Sequence, residues 1–273
     1  MDSTLYEFEQ LPGAAPADGA DPAVGASPLA AAERTEPLIG VIRNPRSHRN
    51  KGRIPEMSGN ANVLTQAPQT RAELAGILSD FKAQGIDILA VDGGDGTVRD
   101  VLTCGAAVYG ENWPPLVVLP KGKTNALAVD LGLPNEWSLP EALELFRQGC
   151  LVERQPILVD QPDGASGQVM GFILGAGLFT VATQAGQTAH RYGAFNSFAV
   201  ALTAIFGIVQ ALFGIGDSPW RKLGAMRLYA NGAEVPRSIH GEPHRRYAVI
   251  WSTLETFPLG MKLFGKVKGA LKY

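Results

Sequence analysis

Cysteine is nearly missing from this chain. There are two in 273 residues, Cys104 and Cys150, far apart in sequence. Two distant cysteines make neither a zinc-ligand spacing nor a disulfide framework, and they fit a reducing compartment. An excess of charge of either sign is missing too. Lys and Arg number 24 against 26 Asp and Glu, a formal net charge of −2. That balance lacks the basic footprint of a nucleic-acid binder, so no nucleic-acid partner is expected. The opening stretch carries acidic residues where a cleaved leader would carry basic ones, so no signal peptide is expected. Residues 1–36, rich in Ala, Pro, Gly and Asp, have few groups that could build a core and read as a disordered tail.

What the chain has is 45% hydrophobic content, enough for a real core at this length. Apolar runs alternate with amphipathic ones. PLIGVIRN predicts a first strand over residues 38–43, and NANVLTQAP a second, short one. TRAELAGILSDFKAQG predicts a helix with Thr70 as cap, Glu73 at capping-box spacing, Leu74, Ile77, Leu78 and Phe81 on one face, and Gly85 as stop. IDILAV and PPLVVLP read as buried strands. TVRDVLTCGAAVYG, the end of KGKTNALAVDLGLP, and SLPEALELFRQG read as helices, the last with Ser138 and Glu141 at capping-box spacing. This alternation implies a mostly parallel sheet covered by helices over residues 37–150. Beyond it the pattern turns strand-rich. QVMGFILGAGLFT is an apolar strand with glycines, Asn231-Gly232 is a hairpin signal, and RRYAVIWSTLETFP is a further strand. The expected fold is therefore an α/β nucleotide-binding domain followed by a β-rich second domain, residues 151–273, with an inserted apolar helix.

That helix is expected at residues 192–216, where no charged residue occurs. The length could span a bilayer. Asn196, Ser197, Thr203 and Gln210 favour a buried or interfacial helix instead, and basic residues on both flanks give no orientation.

Two loops carry the chemistry. In LAVDGGDGTVRD, Gly93, Gly94 and Gly96 let backbone N–H groups approach a ligand, and Thr97 is a candidate cap for a helix whose positive end favours phosphate. Asp95 inside such a loop makes sense if it holds Mg²⁺ or orients a hydroxyl beside phosphates; Asp92 is placed to assist. A tight strand-to-helix turn is the plainer alternative. In the second loop, Gly122-Lys123-Thr124 imitates the end of a P-loop without its glycine spacing. Lys121 and Lys123 could meet phosphate as point charges, and Asn125 could cap the helix or bond a ligand. Both loops follow strands, so both can lie at the carboxyl edge of one sheet, where such folds bind ligands.

Taken with Asn44-Pro45-Arg46-Ser47-His48 and residues 120–134, PKGKTNALAVDLGLP, the GGDGT element resembles the diacylglycerol kinase catalytic domain family. That family includes bacterial lipid kinases and sphingosine kinases; the GGDGT element is shared with NAD kinases. The likeness runs over roughly residues 38–273, including GFILGAGLFT. It implies ATP and Mg²⁺ as cofactors, with Asn44, Thr65, Gly93, Gly94, Asp95, Gly96, Thr97, Gly122, Lys123 and Asn125 at the nucleotide and Asp95 near metal and phosphates as the catalytic group. It implies transfer of the γ-phosphate to a lipid hydroxyl, diacylglycerol-like, by a cytoplasmic protein in peripheral contact with the inner face of a membrane. A kinase of a soluble substrate and a degenerate nucleotide-binding protein are the alternatives. Departures are specific. His48 replaces the family's glycine, Arg99 and Asp100 replace Asn and Glu, Lys123 replaces threonine, and Ala126 replaces aspartate. The late D-G-E element, whose aspartate resembles the general base, has no counterpart after Tyr247. Either the chain is a piece of a longer protein, the preferred reading, or it lacks this base. The closing stretch MKLFGKVKGALKY, with Lys262, Lys266, Lys268 and Lys272 among apolar residues, could rest on an anionic membrane or be an ordinary amphipathic helix.

Overall fold

The computed structural model describes residues 36–57, 59–160, 168–178, 180–181, 224–235 and 244–265. The expected tail at 1–36, apart from Glu36, lies outside them, as do the uncharged stretch 192–216 and Lys266, Lys268 and Lys272. Among the described residues no helix is long and apolar enough to cross a membrane. Two compact units separate. One lies within Met1–Phe172 and takes in the segment from Thr253; the other lies within Ile173–Ser252.

The first unit is built on four parallel strands, β1 (Ile39–Arg43), β2 (Val63–Gln66), β3 (Ile88–Gly93) and β4 (Leu116–Pro120), in the order β2-β1-β3-β4. Strands β1 and β3 are buried along their whole length, which is why they read as continuous apolar runs rather than alternations. Helix α1 (Arg71–Gln84) packs one face of the sheet. Phe81 lies so close over β1 that a Cβ on Gly40 would meet its ring at 2.5 Å. Both ends of α1 follow the sequence. Thr70 accepts the Glu73 N–H, and Gly85 closes the helix at φ 64°. Glu73 itself reaches one residue further than a capping box, taking the Gln69 N–H at 2.6 Å. Helix α2 (Asp95–Tyr109) packs beside α1. On the other face, Leu139 and Leu143 of α4 (Leu139–Arg147) join Ile39, Val41, Ile88, Ala90 and Leu119 in one buried cluster. The capping box at Ser138 and Glu141 is formed as expected.

Short α3 (Ala126–Asp130) follows β4. Strands β5 (Ile157–Val159) and β6 (Val169–Gly171) pair antiparallel, and the Met170 N–H donates to Thr103 Oγ1 of α2 at 3.0 Å. The second unit is β-rich. Strand β7 (Ile173–Gly177) pairs antiparallel with β12 (Ala248–Ser252), and β8 (Gly224–Ala225) with β11 (Arg245–Arg246). The expected apolar strand 168–180 is thus two strands, β6 and β7, interrupted at Phe172. The hairpin of β9 (Tyr229–Ala230) and β10 (Ala233–Glu234) turns at Asn231, φ 51°, and Gly232, φ 79°, the positive angles an Asn-Gly turn supplies. The described start of the basic closing stretch is a bridge and a turn, not a helix. Phe257 N–H bonds Met261 O, and Gly265 N–H bonds Lys262 O.

Candidate active site

The strand order makes one crevice special. From β1 the chain passes to β2 on one side, while β3 and β4 lie on the other, so the carboxyl ends of β1 and β3 flank a topological switch point. Arg43 and Asp92 are level there, and Gly93 is level with Pro120 of β4. The 44–53 loop, the 93–97 loop and the 120–125 loop therefore leave one edge of one sheet. Thr65 lies within β2 rather than after it, level with Val41, on the outer side of β1.

The loops are bonded to each other. Asn44, buried, donates from Nδ2 to Thr97 Oγ1 at 3.0 Å, and its N–H donates to Asp92 O at 2.9 Å. One expectation changes here. Helix α2 starts at Asp95, so Thr97 sits in its first turn; Gly94 is the cap residue, with no side-chain bond. Gly94 therefore offers no cap side chain to the first N–H groups of α2, while the Asp95 N–H acts on its own carboxylate. The glycines also serve the packing of the loops against each other. Neither Gly93, Gly94 nor Gly122 has a positive φ. They are small because of close approach: a Cβ on Gly94 would lie 2.9 Å from Gly122 Cα, one on Gly122 2.7 Å from Gly94 Cα, and one on Gly93 2.5 Å from Thr97 Oγ1. The two glycine loops touch backbone to backbone.

Asn125 adopts φ 51° and closes its own loop. Its Oδ1 accepts the Gly122 N–H at 2.8 Å, and its Nδ2 donates to Gly122 O at 3.1 Å. It does not cap α3 with its side chain. Asp95 does that work: its Oδ1 accepts the Leu127 N–H at 3.4 Å, with the Asn125 and Ala126 N–H groups also acting on the carboxylate. Burial pushes the Asp95 carboxyl up from the ordinary aspartate value against the pull of those N–H groups. Lys121 is committed as well, to Glu56 at 2.7 Å, while the other Glu56 oxygen takes the Leu139 N–H at the start of α4. Lys123 is exposed.

Residues that sequence reasoning missed lie beneath the loops. Arg43 pairs with Asp92 through one carboxylate oxygen, both residues buried, and the other Asp92 oxygen has no hydrogen-bond partner among the described residues. An arginine ending one apolar strand and an aspartate at the same level of its neighbour was the available signal. Asn50 donates to the carbonyls of Asn44 and Asp92, both at 3.0 Å. At the far end of α3, Asp130, with its side chain fully buried, pairs with Arg154 at 2.8 Å and accepts the N–H groups of Glu255 and Thr256, each at 2.7 Å. In the first turns of α2, Asp100 takes Arg99 at 2.8 Å and Arg71 at 3.3 Å. The replacements Arg99, partly exposed, and Asp100, buried, thus form a charge cluster with a buried arginine of α1.

Among the described residues no group of three His, Cys, Asp or Glu side chains is placed to hold a metal ion. With Asp92 paired to Arg43, Asp95 is the carboxylate of these loops that forms no ion pair among the described residues. A lone carboxylate does not make a protein metal cage. It does suit Mg²⁺, which keeps its waters and arrives on nucleotide phosphates.

The parallel α/β unit thus brings two contacting glycine loops together at its switch point, where open α/β sheets bind ligands. Residues 39–156 match the diacylglycerol kinase catalytic domain. No curated protein matches the chain in sequence. Among solved structures, a diacylglycerol kinase from Bacillus anthracis str. Sterne is similar at TM-score 0.51 and 16% identity, over 85% of this chain and 69% of that one. A candidate diacylglycerol kinase from the same strain is similar at TM-score 0.52 and 15% identity, over 86% and 72%. At those identities the likeness is one of fold. The match supports a kinase-type phosphotransferase fold for this segment.

Proposed function

We propose that the chain is an ATP-dependent lipid kinase that transfers the γ-phosphate to a lipid hydroxyl of the diacylglycerol kind, working in peripheral contact with a membrane. The observation that carries this reading is the meeting of Asn44, the 93–97 loop and the 122–125 loop at one switch point, inside the segment that matches the diacylglycerol kinase catalytic domain.

Mg²⁺·ATP supplies the transferable phosphoryl group and neutralises its charge. The chain's residues position it. The first turn of α2, at Gly94 and Gly96, receives phosphate oxygens on backbone N–H groups. Asn44 holds Thr97 and so fixes that turn against β1. Gly122 and Asn125 form the second wall, and exposed Lys123 adds a cation where the family carries threonine. Thr65 completes the nucleotide contacts from β2. Asp95 contributes the negative charge beside the metal while its carboxylate fixes the start of α3, so one residue couples both loops.

The test is transfer of labelled γ-phosphate from ATP with Mg²⁺ to total lipid extract in mixed micelles, beside Asp95→Asn. A labelled lipid that disappears in the variant supports the reading; ATP binding without any labelled lipid counts against it. That second outcome would favour a catalytically degenerate nucleotide-binding protein. Its specific support is Ala126, buried at the start of α3 where the family pattern has aspartate.

A further inference from the structure

The loop after β1 is built in two layers. Asn44, Ser47 and Asn50 are buried, and successive turns link them: Ser47 N–H to Asn44 O, Asn50 N–H to Ser47 O, and Arg53 N–H to Asn50 O, all at 3.0–3.1 Å. From below, Arg43 Nη2 donates to the carbonyls of Asn50 at 3.3 Å and Arg53 at 2.6 Å. The Arg49 N–H ties the loop to Lys121 O at 3.0 Å. On this scaffold Arg46, His48, Lys51 and Arg53 are all exposed, and Ile54 beside them is 79% exposed. Residues 45–54 contain no acidic side chain. Among the described residues none of these four basic groups forms an ion pair, and Glu56, the next carboxylate along, is taken by Lys121.

We propose that the 45–54 loop is a docking surface for an anionic lipid bilayer, its cations meeting lipid phosphates and Ile54 entering the headgroup boundary. This rests on the lipid-kinase reading above. The occupant is argued from three features. A chain with net charge −2 gains attraction to an anionic surface only through a local cationic patch. An exposed isoleucine in that patch serves neither a free nucleotide nor a nucleic acid, which would call for stacking groups, but it does serve a bilayer. The loop also leaves the same sheet edge as the glycine loops, so a bilayer held there brings lipid hydroxyls to the edge assigned to the nucleotide phosphates.

The experiment is co-sedimentation of the full chain with vesicles of phosphatidylcholine alone or mixed with phosphatidylglycerol, using wild type, K51E/R53E and Ile54→Ser. A fluorescent ATP analogue is titrated into each without vesicles, and thermal unfolding checks that each is folded. The expected result is binding to the mixed vesicles only, weakened by salt, with partitioning lowered on the order of tenfold in K51E/R53E. Ile54→Ser should bind several-fold less, with the salt dependence kept. Equal binding to neutral vesicles, or undiminished binding by folded K51E/R53E, overturns the proposal. So does loss of ATP-analogue affinity in K51E/R53E with vesicle binding intact, which would give the cations to the nucleotide. Vesicle binding as expected without any labelled lipid in the kinase assay supports the docking surface and counts against the kinase reading alone.

Discussion

Asn44 Nδ2 donates to Thr97 Oγ1 at 3.0 Å across the point where the sheet's connections diverge. The two residues are 53 apart in sequence, and both are buried. Asn44→Ala leaves the Thr97 hydroxyl without this donor and should cost about 1–2 kcal/mol of stability by denaturant unfolding. Thr97→Val removes the same bond from the other side. The double variant should then cost clearly less than the sum of the singles, with a coupling of about 1 kcal/mol. If the bond orders the phosphate loop, both singles weaken ATP-analogue binding; additive stability losses would refute the linkage.

Gly94 and Gly122 are glycine because of each other. In Gly122→Ala the new Cβ would stand 2.7 Å from Gly94 Cα, and backbone cannot swing aside as a side chain can. Separation of the loops should cost about 1–3 kcal/mol and lower nucleotide affinity. Gly94→Ala should do the same. Once either loop has moved, the second substitution meets little resistance, so G94A/G122A should lose much less than the summed singles. Thermal unfolding of the three variants measures this.

Local signals carried far in this chain, and non-local ones did not. The caps at Thr70 and Ser138, the stop at Gly85 and the Asn231-Gly232 turn are decided within four residues and were readable from the sequence. The loops were found too, but their inner bonding was not. Thr97 and Asn125 looked like caps because their type suits capping; the positions of Asn44 and Asp95 reassigned them. Lys121 was an open cation in sequence because Glu56 lies 65 residues away. The buried Arg43–Asp92 pair and the partners of Asp130 depend on strand register and on a returning segment that no local pattern announces.

Asp95→Asn separates structure from chemistry. Burial raises the Asp95 carboxyl, so in the acidic range the folded state holds its proton more tightly than the unfolded state. Stability from this group is full below the unfolded value, about 4, and is lost as pH rises through the higher folded value. The amide keeps an acceptor oxygen for the Leu127 N–H and has no such titration. Wild type should therefore lose stability relative to Asp95→Asn as pH rises through the acidic range, measured by unfolding at several pH values. Kinase activity should vanish in the variant at every pH. A variant that retains activity would remove Asp95 from the chemistry.

The two cysteines should differ in reactivity. Cys104 is partly buried on α2, and burial, with Asp100 adding to it, pushes its thiol up to about 11. Cys150 is exposed. Since the thiolate is the nucleophile, iodoacetamide at neutral pH should label Cys150 and spare Cys104 until the chain is denatured. Mass spectrometry of the labelled peptides checks this. Prompt labelling of Cys104 in the native chain would mean that α2 opens readily at its Asp100 cluster.

Asp130 holds the far end of the second loop's helix. Its carboxylate bonds Arg154 and the N–H groups of Glu255 and Thr256, and Leu254 and Phe257 of that segment are buried. Asp95 takes N–H groups at one end of α3, and Asp130 anchors the other, so this five-residue helix depends on two carboxylates rather than on its own length. Asp130→Ala should cost about 3 kcal/mol, because it leaves a guanidinium and two N–H groups without their acceptor. Asp130→Asn keeps an acceptor and should cost less. Hydrogen exchange distinguishes the effect from general destabilisation. Glu255 and Thr256 should lose protection in Asp130→Ala well before the α1 amides do, because their backbone N–H groups donate to the deleted carboxylate. Uniform loss of protection would mean that Asp130 supports the core as a whole and does not specifically hold the returning segment to α3.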